Sequence, residues 1–348
     1  MQYFSKQAIT ALLGITIVWV SVISPVFSAE ESTMNWGGAN DMPIFISDSS
    51  TGYIDNALIQ TQSRIRFDAG FNNTAPDRAE FFYGACGCAR DVPGLNNKAP
   101  GPSGKVIPGD ILNSRLIETS LDYQELRLDF EYALQDNFSL FTELPVRFID
   151  GEVLESEQGL GDIRAGFKWG LLNNPSHNLT FQLRGYFPTG KAEDGLGTDH
   201  LSYEPGLLYL GRFDEHWTAA SELRYLIPVG GTSGFATGFD EDYAGEILRY
   251  GFGAGYDINI SPTTRVTPVL ELVSWIVLGG LVLESPSGTP ATAQYKKADG
   301  ETITNLKFGA RISLDKKHSV YIGYGKALSD DDWYEEIVRV EFRTTYGG

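Results

Sequence analysis

The chain has 348 residues, with 45 acidic against 27 basic side chains and a formal net charge of −18. So acidic a balance excludes the basic surface that nucleic-acid binding requires. Two cysteines cannot supply a disulfide framework, and no stretch after the N-terminus reaches the roughly 18 apolar residues of a spanning helix.

The N-terminus reads as an export signal. Lys6 is its only charge before Glu30, Ala8 to Val20 is an apolar run, and Val26, Phe27 and Ser28 offer a cleavage site before Ala29. Ser21, Ser24 and Pro25 break the run, and Glu30 and Glu31 follow it, which argues against a retained anchor. Removal of residues 1–28 takes away that one lysine and no acid, leaving a mature charge of −19. Residues 29–56 are polar and turn-rich and are expected to form a periplasmic lead-in. Residues 57–348 are expected to form one domain.

From about Ala57 every second residue is apolar, and period two places alternate residues on opposite faces of a strand. The first strand, to Phe71, has Ile65, Phe67 and Ala69 on one face and Arg64, Arg66 and Asp68 on the other. A loop over 72–117 follows. It holds Pro93, Pro100, Pro102 and Pro108, and is too long for a hairpin connection. It also holds Cys86 and Cys88, whose C-x-C spacing fits a local disulfide, free thiols or half of a metal site with no second half nearby.

The second strand carries Leu126, Leu128, Phe130 and Tyr132 outward. Leu121 and Tyr123 have the opposite parity, so a bulge is expected near Gln124. Phe138 to Phe148 forms the third strand. Further strands are expected around 162–169, 181–187, 203–213, 217–227, 249–257, 263–278, 306–312, 320–324 and 333–346. The ninth of the twelve, 263–278, has the least clear parity. In the last, Val338, Val340 and Phe342 alternate with Arg339, Glu341 and Arg343.

Connections alternate between short (135–137, 173–177, 214–216, 261–262, 315–318) and mostly long (72–117, 150–160, 188–200, 230–245, 279–301, with a shorter 328–332). Tyr132, Phe138, Trp169, Phe213, Trp217, Tyr256 and Tyr346 cluster beside the short turns, as an interfacial aromatic girdle would. Parity, count and loop lengths together predict an all-β, antiparallel transmembrane barrel of about 12 strands. Its short turns would be periplasmic, its long loops extracellular and its apolar side outward.

On that reading the inward-facing charges are the candidate site. Fourteen are basic: Arg64, Arg66, Arg127, Arg147, Arg164, Lys168, Arg184, Arg212, Arg224, Arg249, Lys307, Arg311, Arg339 and Arg343. Eleven are acidic: Asp68, Glu125, Asp129, Glu131, Glu143, Asp162, Glu204, Glu222, Asp257, Glu271 and Glu341. At the bilayer midplane Arg or Lys facing lipid costs about 2–4 kcal/mol, so these charges belong inside. About eight strands leave a filled interior and 16 to 18 an aqueous channel, so twelve allows either a narrow polar pore or a plugged one.

The segment Gly159-Leu160-Gly161-Asp162-Ile163, continuing through Gly166, Phe167 and Lys168, resembles a strand opening in a bacterial outer-membrane family. That family is the MetA-pathway-of-phenol-degradation or outer-membrane transporter family. Phe187-Pro188-Thr189-Gly190 adds to the likeness. The resemblance implies an outer-membrane barrel concerned with passage of aromatic compounds, whereas the inward charges favour polar solutes.

Catalysis is not expected. His177, His216 and His318 fall in short turns, and His200 lies near Ser202 without a nucleophile motif. Asp330, Asp331 and Asp332 with Glu335 and Glu336 read as a solvated loop tip rather than a cation site, and no cofactor or metal motif is present. The expectation is a bacterial outer-membrane channel or transporter, with the lipid bilayer and small solutes as partners. The alternative is a structural or adhesive barrel with a plugged lumen.

Overall fold

The computed structural model describes residues 49–74, 120–151, 156–229, 244–284, 294–315, 317–330 and 332–346. The expected signal, Cys86, Cys88 and Asp331 lie outside the described residues, as does the lead-in as far as residue 48. The alternating pattern forms β1 (Thr61–Asn73), β2 (Leu121–Gln135), β3 (Phe138–Gly151), β4 (Glu157–Leu160), β5 (Ile163–Asn173), β6 (His177–Phe187), β7 (Leu201–Arg212) and β8 (Trp217–Val229). It continues as β9 (Ile247–Tyr256), β10 (Ile258–Asn259), β11 (Arg265–Val277), β12 (Leu281–Glu284), β13 (Gln294–Lys297), β14 (Thr302–Ser313), β15 (His318–Ala327) and β16 (Glu336–Tyr346).

Twelve long strands make the wall. β4 and β10 extend it, and β12 pairs with β13 as a separate hairpin. Each long strand is antiparallel to its neighbours. The register from Thr61↔Tyr346 to Phe71↔Glu336 joins β1 to β16 and closes the sheet. Closure leaves no edge of unpaired backbone, the condition a sheet must meet to stand in hydrocarbon.

The apolar set faces outward and is exposed. Phe252 is 59%, Phe308 55%, Leu270 54% and Ile322 54% accessible, an area that water would not tolerate on this scale. Tyr132, Trp169, Phe213, Trp217 and Tyr256 stand exposed at the short-turn end. Trp217 and Tyr256 meet edge to face at 5.0 Å, giving the aromatic girdle.

One device recurs in the short turns. A side-chain oxygen caps two successive backbone N–H groups: Asn174 those of Ser176 and His177, Asp214 those of His216 and Trp217, Asp315 those of Lys317 and His318. Backbone donors hold the Asp214 carboxyl below its ordinary value, and the His318 ring with the same kind of donors does so for Asp315. The His177 ring pairs with Tyr209 and that of His216 with the carbonyl of Asp257, so the turn histidines are structural.

Three expectations change. There is no bulge near Gln124: β2 and β3 stay in register from Leu121↔Gly151 to Ala133↔Ser139. Leu121 and Tyr123 keep the inward parity of Glu125, because above the membrane band the interior is filled by Leu121, Ile149 and Leu196. Register shifts lie instead in β1 between Gly70 and Asn73, in β2 at its short-turn end between Ala133 and Gln135, in β5 between Gly170 and Leu172, and at Gly161–Asp162 between β4 and β5.

In β11 the inward set is Thr267, Val269, Glu271, Val273 and Trp275, mostly apolar because it packs on a segment inside the barrel. That segment is the third difference. Residues 49–58, expected as the end of the lead-in and the start of the first strand, run through the barrel interior.

Candidate functional site

The wall charges turn inward as interleaved clusters. Asp129 takes Arg64 and Arg66, both at 3.2 Å, and Arg127 at 2.9 Å. Glu143 takes Arg184 at 3.0 Å, Arg127 at 3.3 Å and Arg164 at 3.5 Å. Glu125 pairs with Arg147, and Glu131 with Lys168. Around the next strands, Glu204 joins Arg184 to Arg224, Glu222 joins Arg224 to Arg249, and Asp257 takes Arg212. Across the closure, Glu341 holds Arg311 and Arg343 at 2.9 Å each, and Asp68 grips Arg339 through two bonds of 2.6 and 2.7 Å.

Buried pairs of this kind add little net stability over apolar packing, yet losing one partner strands the others. Glu143→Gln leaves three guanidinium groups facing a neutral amide. It is expected to cost about 3–5 kcal/mol, read as a lowered urea midpoint for refolding into vesicles. A change below about 1 kcal/mol, the size of an exposed pair, would mean that Glu143 is not the hub.

Of the charges read as inward, Asp162 has a different task. Its carboxylate accepts from the N–H of Gly190 at 3.0 Å and from the N–H and hydroxyl of Thr198, both at 2.8 Å. Thr189 completes the clasp through the carbonyl of Gly161 and the N–H of Ile163. The two segments that carried the family resemblance thus meet, and fasten the 188–200 loop to the bulge between β4 and β5. A Cβ on Gly190 would lie 2.6 Å from the Leu196 carbonyl oxygen, so the clasp needs glycine there. His200 sits in this loop, buried, with Nδ1 on the Thr198 carbonyl. Asp332, from the expected loop tip, is buried and accepts from Thr74. Among the described residues no cluster of His, Cys, Asp or Glu is arranged to hold a metal.

The segment 49–58 gives the interior its centre. It enters at the short-turn end, where Ser50 meets Thr218, and turns back at Gly52–Ile54. It leaves past Ala57, whose carbonyl takes the Thr180 hydroxyl. At the tip, Glu271 accepts from three successive N–H groups: Gly52 at 3.2 Å, Tyr53 at 3.0 Å and Ile54 at 2.8 Å.

The carbonyls from Ser49 to Tyr53 accept, in order, from Arg343, Arg311, Arg311, Arg339 and Arg249. Asp55 pairs with Arg184 and Arg224. Tyr53, Ile54, Ala57 and Leu58 pack on Leu208, Leu210, Leu226, Val273 and Trp275. The interior is therefore not polar throughout. Its charges satisfy the backbone of a buried segment, as any buried amide requires.

Alternation could not reveal this segment, because 49–56 has no strand period. Two hints were present: apolar residues on the inward parity of β11, and Leu208 and Leu210 on the inward parity of β7. Asp55 and Arg265, which pairs with Asp257, were also missed.

Two spaces remain. One, of about 10 Å³, lies on the short-turn side among Gln62, Arg64, Glu131 and Lys168. The other, of about 150 Å³, lies on the long-loop side among Asn73, Tyr123, Trp275, Trp333 and Ile337. The tip of the buried segment stands between them, since Asp55 borders both.

Comparison with known proteins fits this architecture. The COG4313 outer membrane channel from Pseudomonas putida F1 superposes with a TM-score of 0.51 at 14% identity, over 86% of this chain and 100% of that one. At that identity the likeness is one of fold. The KdgM porin (TM-score 0.37, 12% identity, 64% of this chain and 93% of that one) and the NanC porin (0.38, 10%, 65% and 94%) are more distant and carry no weight. No curated protein matches the sequence. The model of the family described as "Putative MetA-pathway of phenol degradation" matches residues 103–336, about two thirds of the sequence. The chain belongs to that family, as a closed twelve-stranded β-barrel of the bacterial outer membrane.

Proposed function

We propose that the barrel is a channel for small polar solutes, and that segment 49–58 closes its lumen at rest and moves to let them pass. One observation carries this reading. The obstruction is a single strand-free segment, and five of its successive carbonyls are held by wall arginines. Hydrogen bonds to charged groups are each worth about 1.5–3 kcal/mol net, so they can be exchanged for water one at a time. The wall, by contrast, is a continuous ladder that no solute could part at low cost. The interleaved charges would keep the opened lumen hydrated and selective.

A disulfide between Ser50→Cys and Thr218→Cys, whose hydroxyl oxygens are 3.2 Å apart, would pin the segment. The background is Cys86→Ser with Cys88→Ser. In planar bilayers the oxidised protein is expected to conduct at less than about one tenth of the reduced level, with full recovery on adding dithiothreitol. Equal conductance in both states, with the disulfide confirmed, would show that passage does not need the segment to move. Silence in both states and in the wild type would favour a plugged structural barrel.

A further inference from the structure

We propose that the 150 Å³ space on the long-loop side is a binding site for a small aromatic carboxylate, which deepens the channel reading by naming a class of solute. The space is bordered by eight cationic side chains and by three carboxylates, Asp55, Asp68 and Glu125. All three acids are engaged: Asp55 with Arg184 and Arg224, Asp68 with Arg339, Glu125 with Arg147. The bordering arginines are paired in turn, Arg66 with Asp129, Arg127 and Arg164 with Glu143, and Arg249 with Glu222, so the excess of positive charge at the space is local rather than general.

Lys307 is where that excess concentrates. Its cross-strand neighbour is Glu271, the natural counter-ion for an inward lysine. Glu271 instead spends its oxygens on the N–H groups of Gly52, Tyr53 and Ile54. Lys307 is 2% exposed and makes no ion pair among the described residues. Its ammonium donates to the Tyr334 hydroxyl at 2.7 Å and lies 4.1 Å from the ring centre of Tyr53, 5.3 Å from that of Trp275 and 5.4 Å from that of Tyr334. Ring faces ease the burial of a cation but do not neutralise it. An anion entering the space would.

The shape of the complement follows from the other walls. Six aromatic rings border the same space, those of Tyr53, Tyr123, Tyr186, Trp275, Trp333 and Tyr334. They offer stacking and edge contacts to a flat ligand. The volume suits one ring: a cavity of about 150 Å³ is enough for benzene. Among the described residues the Trp275 indole N–H and the Tyr53 hydroxyl are buried there without a hydrogen-bond partner, so polar groups remain for the ligand's carboxylate. A cationic ligand of the same shape would meet the like charge of Lys307.

The test uses purified full-length barrel in detergent micelles and equilibrium dialysis of radiolabelled benzoate, with protein-free micelles as the blank. Saturable benzoate binding is expected, with acetate and benzylammonium each weaker by about tenfold or more, the scale of one lost charge-assisted or stacking contact. Lys307→Gln should weaken benzoate about tenfold while Lys307→Arg retains it. Resistance of the folded band to unheated SDS checks folding. Should Lys307→Gln not fold, Trp275→Leu takes its place and should weaken benzoate while leaving acetate unchanged.

Benzylammonium binding as tightly as benzoate would overturn the proposal. So would benzoate binding indifferent to the folded variants, or no saturable binding. A wild type that binds benzoate but never conducts would overturn the channel reading and leave the site standing. One that conducts, yet neither binds benzoate nor is blocked by it, would overturn the site alone.

Discussion

Ile322→Arg is expected to lower the stability of the membrane-inserted barrel by about 2–4 kcal/mol, the cost of arginine facing hydrocarbon at the midplane. Ile322 lies midway along β15, opposite Ala310 and Val340, with its side chain 54% accessible on the outer face. No lumen charge can reach it there. Leu328→Arg is the control. Leu328 follows β15 at the long-loop end and is 60% exposed. There the arginine head can reach the interface, and the cost should fall to about 0–1 kcal/mol. Urea titration of refolding into vesicles reads both. Equal costs would show that the apolar band does not contact lipid at Ile322.

That experiment probes the part of the molecule most legible in its sequence. A strand in lipid must turn every second residue outward as an apolar one, so Phe308, Ile322 and Phe342 announce their face without any knowledge of their neighbours. Strand count and loop asymmetry follow from the same alternation. The inward charges are legible too, by exclusion: Arg311 and Arg343 have nowhere else to go.

What they bind is not legible. Arg311 and Arg343 reach the carbonyls of Ser49 to Thr51, far away in the chain and in a stretch with no period of its own. Sequence spacing carries no information on that pairing. The parity of β11 was obscure for the same reason, since its inward Val269, Val273 and Trp275 answer to the buried segment rather than to lipid. The 150 Å³ space was equally hidden, because part of its wall is Tyr53 and Asp55 of the buried segment, whose place no spacing reveals.

Glu271→Ala should therefore act on closure rather than on the wall. Glu271 is fully buried, and its carboxylate is the acceptor for three successive N–H groups at the tip of the segment. Each donor left without an acceptor costs about 1–3 kcal/mol. Three together are enough to make withdrawal of the tip into water competitive with the closed state. The strand pairs of Glu271, to Gly253 and Lys307, are made by backbone and do not need its side chain. Folded barrel is therefore expected in normal yield, in contrast to Glu143→Gln, which breaks wall-to-wall pairs. Conductance should rise several-fold over wild type. Glu271→Gln, which keeps one acceptor oxygen and loses the charge, should fall between the two. Joining the Ser50→Cys and Thr218→Cys disulfide to Glu271→Ala should bring conductance back down, because the tether holds the segment whether or not its tip is capped. A folded Glu271→Ala barrel with wild-type conductance would mean that the tip is not what closes the lumen. An increase that survives the oxidised tether would place the new path elsewhere, along the wall rather than past the segment.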